Sequence, residues 1–117
     1  MGMRRNIALD YGRDLKNPNI SCPTIYFYTH WGGMDLEDDL RQALIRGTSR
    51  WNDPPYLARI IFSQMIQHDL LDVVGFGIDV DEFEPDYPTI NVDLKNRTVD
   101  GVPFADFIAA AIPARAS

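Results

Sequence analysis

The chain predicts an α+β domain: an antiparallel sheet of four to five strands with a helical pair and a C-terminal helix, in the order ββααβββα. Three observations predict it. Residues 24–31, "TIYFYTHW", concentrate β-branched and aromatic types with a period of two. Residues 35–68 carry apolar side chains at helical spacing on both sides of the short link "TSRWN". After them, apolar alternation returns in short stretches broken by turns. Strand runs separated by a helical pair indicate α+β rather than alternating β/α. The 117 residues form one expected domain, 1–117, long enough to bury a core without staples.

Residues 4–10, "RRNIALD", read as a strand with Ile7 and Leu9 on one face. The polar stretch 11–23, with Gly12, Pro18 and Pro23, reads as a loop. In the second strand Ile25, Phe27 and Thr29 share one side, and Tyr26, Tyr28 and His30 the other. The two strands are expected to pair as an antiparallel hairpin.

Asp35 to Arg46 reads as a helix with Asp35 as N-cap, Glu37, Asp38 and Asp39 on its positive end, and Leu36, Leu40, Ala43 and Leu44 as its apolar stripe. Gly47 is the expected C′ residue. In the second helix Asp53 caps, Pro54 occupies the first turn, and Leu57, Ile60, Ile61 and Met65 form a stripe widened by Phe62 and Ile66. The short link makes the two helices antiparallel neighbours. "VVGFGIDV" reads as a strand with Val74, Phe76, Ile78 and Val80 toward the core and Gly75, Gly77 and Asp79 away from it. Two glycines on one strand face leave room for a close approach. "DEFEPDYP" reads as a solvated acidic loop, and "TINVDL" as a strand with Ile90, Val92 and Leu94 inward. "KNRTVDGV" reads as a turn at Lys95–Asn96 followed by a short strand. The last helix starts at Pro103, ends at Pro113 and buries Phe104, Phe107 and Ile108, with a frayed tail beyond it.

Net charge is −6 with a pI near 4.6, which argues against nonspecific nucleic-acid binding. Charge is uneven: Asp69 to Asp106 holds ten acidic residues against two basic ones, whereas Arg46 to Arg59 holds three arginines and one acid, Asp53. The single cysteine, Cys22, cannot close an intramolecular disulfide, and a reducing, cytoplasmic setting is expected. No apolar run approaches the ~18 residues of a membrane span. The start of the chain does not read as a signal peptide.

Two stretches attract functional attention. In the first, Tyr28, His30, Trp31 and Gly33 lie where a strand end feeds a helix start. Trp31 and His30 offer stacking and hydrogen bonding to a planar group. The carboxylates of the following helix would repel a phosphate, and the glycine spacing matches no nucleotide fingerprint. The plainer alternative is a half-buried aromatic strand ending in a tight turn. In the second, Arg46, Arg50, Trp51, Tyr56 and Arg59 combine guanidinium forks with aromatic rings, as recognition of a carboxylate or phosphate requires. The plainer alternative is pairing of these arginines with nearby acids for little gain. Asp79, Asp81, Glu82, Glu84 and Asp86 lack the ligand order of an EF-hand loop. Two histidines and one cysteine cannot make a zinc set, and no G-x-S-x-G elbow occurs. No catalytic residue, metal ligand or cofactor is assigned.

From Tyr28 to Phe62 the pattern "YTHWGG", then "L..AL.RG..RW.D..YLARIIF", resembles one in a group of small, largely uncharacterised phage and prophage proteins, with weaker similarity to Ile108. The resemblance implies a small protein in the host cytoplasm that counters host defence. It points to His30, Trp31, Gly32, Gly33, Arg46, Gly47, Arg50, Trp51, Tyr56 and Arg59.

The expected function is therefore sequestration of a small anionic, nucleotide-like signalling molecule. Arg50 and Arg59 would hold the anion, Trp31 and Trp51 would stack, and His30 or Tyr28 would add hydrogen bonds. A chain this small encloses such a ligand best as a homo-oligomer. The alternative is an acidic protein–protein inhibitor in which Asp79–Asp86 mimics nucleic acid. A small nucleotide hydrolase using His30 as base is the third reading. The first reading requires the strand end and the inter-helix link to share one hollow.

Overall fold

The sheet is organised around its first strand. The computed structural model describes residues 3–12 and 24–110. In it β1 (Arg5–Asp10) runs antiparallel to β2 (Thr24–Thr29), with Ile7 opposite Phe27 and Leu9 opposite Ile25. This is the expected hairpin, although Cys22 and most of its loop lie outside the described residues. Beyond β2 comes β3 (Phe76–Asp79); on the other side of β1 come β4 (Ile90–Asp93), β5 (Thr98–Val99) and β6 (Val102–Pro103).

The sheet therefore has six strands in the order β3-β2-β1-β4-β5-β6 and is mixed, not antiparallel with four to five strands. The reason is a crossing. β3 pairs antiparallel with β2 and so points the same way as β1. Residues 80–89 then pass over β2 and β1 before β4 forms, so β4 meets β1 in parallel. The extra strand comes from Asp100 and Gly101, whose φ angles of 50° and 84° make the left-handed two-residue turn favoured in tight hairpins.

The helices are α1 (Leu36–Arg46), α2 (Pro54–Met65) and α3 (Phe104–Ala110). Pro113 lies outside the described residues. A single 3₁₀ turn, Thr48–Arg50, joins α1 to α2. At this junction Gly47 has an ordinary φ of −96°, so it is not the left-handed C′ residue expected. A Cβ there would meet the Ala43 carbonyl at 3.1 Å and methyls of Leu57 and Ile60 at 3.2 Å. The glycine permits close packing of the helix ends.

One face of the sheet is dry. Ile7, Leu9, Phe27, Ile90, Val92 and Val99 lie under Leu36, Leu40, Leu44, Leu57 and Ile61, all essentially inaccessible to solvent. Each such side chain contributes ~1.5–3 kcal/mol by leaving water. Phe62 on α2 meets Phe27 at 5.0 Å between ring centroids. Trp51 closes the other end. Its indole N–H donates to the Leu44 carbonyl at 2.9 Å, and its ring stands edge-on to Phe104 at 5.3 Å.

The opposite face, with Ala8, Tyr26, Tyr28 and Asn91, carries no helix among the described residues. It is crossed instead by the acidic segment, which is tied down rather than merely solvated. Buried Asn6 donates its amide to the Phe83 carbonyl at 2.6 Å and accepts the Phe83 N–H at 3.3 Å. Arg4 forks onto Asp86 at 3.2 and 3.3 Å, and Arg5 donates to the Pro88 carbonyl at 2.7 Å. Thr89 donates to Glu82.

Candidate functional site

Helix α1 separates the two stretches singled out in the sequence. Its 11 residues span about 16 Å at 1.5 Å per residue. Tyr28, His30, Trp31 and Gly33 precede its start; Arg46, Arg50, Trp51, Tyr56 and Arg59 lie at or beyond its end. The two groups do not share a hollow.

The second group is largely used internally. Arg46 donates to the Ile60 carbonyl, the Ser63 hydroxyl and the Gln64 side-chain oxygen at 2.7–3.1 Å, bracing α1 on α2. Arg50 lies 3.9 Å from Asp53 and over the exposed ring of Tyr56 at 5.3 Å. Arg59 points to solvent and makes no ion pair with a described residue. Trp51 is packed against Phe104, not displayed. The start of α2 offers an anion little, because Pro54 and Pro55 lack N–H groups and Asp53 stands beside them.

The first group is assembled differently. Gly33 donates its N–H to the Met3 carbonyl at 2.9 Å, and a Cβ there would lie 2.4 Å from that oxygen. This glycine serves close backbone contact with the chain start. His30 donates its backbone N–H to the Gly75 carbonyl at 2.8 Å, and its ring stands edge-on to Trp31. The Trp31 ring lies over Gly75, where φ is +102° and a Cβ would sit 2.2 Å from the indole. Tyr28 covers Gly77 in the same way and stacks on Phe83 at 4.3 Å. Gly75, just before β3, and Gly77 within it do admit a close approach, but the visitors are the chain's own rings, Trp31 just after β2 and Tyr28 within it.

Acidic side chains crowd the start of α1. Burial, reinforced by Asp35 and Asp38 and opposed by His68, pushes the Asp39 carboxyl up to about 6. At the other end of the sheet's crossing, the Arg4 hydrogen bonds hold Asp86 below the usual carboxylate range.

The surface that sequence reading missed lies along β3. Val74, Ile78 and Val80 were expected inside, yet they are 63%, 60% and 65% exposed. Ile78 does share the face of Phe27, with which it is in register. However, β3 is the outermost strand, and the helices cover the strands nearer the centre. Leu70, Leu71 and Val73, on the connection from α2, are exposed as well. Trp31, half exposed, joins this apolar surface through its contact with Gly75. Among the described residues β2 is the only neighbour of β3, so its outer backbone edge is unpaired. From Asp69 through Leu94 the chain has eight acidic residues and no Lys, Arg or His. The signal available in sequence was this coincidence of apolar alternation with unrelieved acidity.

Among the described residues no group of three or more His, Cys, Asp or Glu side chains could hold a metal ion. No described helix is long and apolar enough to cross a membrane. Compared with protein-family models, curated proteins and solved structures, the chain matches none.

Proposed function

We propose that the chain is a binding protein that captures an extended, basic segment of a partner protein along the outer edge of β3. One observation carries the reading: a strand edge unpaired among the described residues, bordered by exposed Trp31 and by exposed Val74, Ile78 and Val80, the last three within a stretch whose only charges are negative. Strand addition takes its affinity from main-chain hydrogen bonds and its selectivity from alternate side chains. Apolar surface of this kind marks interaction sites, and tryptophan is favoured at their energetic centres. Carboxylates around the edge select a basic occupant and disfavour a second copy, which would bring eight more. In the phage setting suggested by the "YTHWGG" pattern, such capture would inhibit a basic host protein. This develops the protein-inhibitor alternative rather than the nucleotide-sequestering one, whose residues stand at opposite ends of α1.

The test is calorimetric titration with a defined peptide of alternating valine and arginine. Saturable binding should weaken as salt rises and be lost in Trp31→Ala and Ile78→Lys. Binding that is absent at low salt, or indifferent to both substitutions, would overturn the proposal. So would sedimentation showing a dimer dissolved by Ile78→Lys, because a second copy would then fill the edge.

A further inference from the structure

A cavity opens beside β3 on the helix-free face. We infer that it is a receptor for one guanidinium group, an arginine side chain of the segment bound at the edge. The inference rests on the reading of β3 as a docking edge and adds the side chain that the partner must present.

The cavity is built by cross-strand register. Tyr26 stands opposite Asp79, and Tyr28 opposite Gly77, so two rings, one carboxylate and one bare backbone position share a face. Gly77, which lies under the Tyr28 ring, lets that ring settle close to the sheet at the side of the cavity. Tyr28 and Phe83, stacked at 4.3 Å, form one wall, and Tyr26 lines the cavity beside them. Asp79 and Asp81 also line it, and among the described residues no Lys, Arg or His does. The walls are held in place. Fully buried Asn6 fixes the Phe83 backbone through both ends of its amide. The Asp79 carboxylate is oriented by the Val80 N–H, which it accepts at 2.6 Å through one oxygen.

Size and chemistry agree on the occupant. The volume is about 260 Å³, below the ~300–1,000 Å³ that encloses a drug-sized molecule. That is small for enclosing a whole nucleotide and ample for a side-chain head group. Aromatic faces attract cations, and a planar guanidinium both stacks between rings and forks onto a carboxylate. The protein already uses this pairing on the same ring, since the Arg4 guanidinium lies 5.8 Å from the Phe83 centroid without lining the cavity.

The experiment is an NMR titration of the full chain with N-acetylarginine amide, using N-acetylcitrulline amide as the uncharged isostere. Arginine amide should give saturable shifts centred on Tyr26, Gly77 and Asp79, and citrulline amide should not. Asp79→Asn retains the oxygen that accepts the Val80 N–H, and it should weaken binding roughly tenfold, the loss of one charge-assisted contact. Tyr26→Leu should weaken it as well. The inference is overturned if shifts do not saturate, if citrulline amide matches arginine amide, or if the shifts centre on Asp10 and Asp93 instead. The valine–arginine peptide separates the two claims. Peptide protection of β3 with no arginine-amide site defeats the receptor alone; an arginine-amide site with no peptide binding defeats the docking edge alone.

Discussion

Strands β3 and β4 carry the same apolar alternation and meet opposite fates. In β4 and just after it, Ile90, Val92 and Leu94 are all but inaccessible. Around β3, Val74, Ile78 and Val80 are each more than half exposed. Both strands point the same way, and both turn their apolar residues toward the helical side. What differs is position. β4 lies beside the central strand, between β1 and β5 and under the helices; β3 lies outermost. Periodicity decides which face a residue takes, and topology decides whether anything covers that face. The two edges of the sheet differ in the same instructive way. β6 is two residues long and contains Pro103, which has no N–H to offer. β3 has neither protection, and its acids guard against self-pairing while leaving it open to a basic strand.

The sharpest way to break the comparison is to truncate matched residues. Ile90→Ala should cost ~2–5 kcal/mol, as deletion in a closed core does. Ile78→Ala should cost under ~1 kcal/mol, as at a surface position. Urea midpoints measure both, and equal losses would mean that the β3 edge is covered. Next comes the seam between β2 and β3. Gly75→Ala places a Cβ against the Trp31 ring at a φ of +102° and should cost ~1–3 kcal/mol; an unchanged midpoint would show that Trp31 is not seated there. On the covered side, Trp51→Phe removes the indole bond to Leu44 and should cost ~1 kcal/mol.

A smaller effect concerns pH. The Asp39 carboxyl titrates at about 6 in the fold, above its ordinary 3.8. The folded chain therefore holds more protons than the unfolded chain between those values, and this group's contribution to stability is present at low pH and lost as pH rises through about 6. Asp39→Asn should flatten the fall in urea midpoint between about pH 4 and pH 6. A slope identical to that of the parent would remove Asp39 as its source.

Much of the architecture is written locally. The α1 and α2 stripes, the Pro54 start and the β1–β2 hairpin follow from spacing and turn chemistry that neighbouring residues determine. The parallel β1–β4 pairing does not, because it depends on a ten-residue crossing whose path is fixed by distant partners such as Asn6 with Phe83 and Arg4 with Asp86. The β5–β6 hairpin reads only as one short strand after a turn at Lys95–Asn96, although Asp100–Gly101 between Val99 and Val102 is a strong two-residue turn signal. At the site, sequence reading drew Trp31 to notice for its aromatic chemistry. It could not show that α1 holds Trp31 apart from Arg50 and Arg59, nor that Ile78 lies beyond the reach of the helices. Those are properties of strand order.

The most direct test of the docking edge is amide hydrogen exchange, residue by residue, with and without saturating valine–arginine peptide. The outward-pointing amides of Phe76–Asp79 should slow markedly while β6 stays unchanged. Unchanged exchange along β3 with the peptide bound, or slowing confined to β6 or the helices, would contradict it.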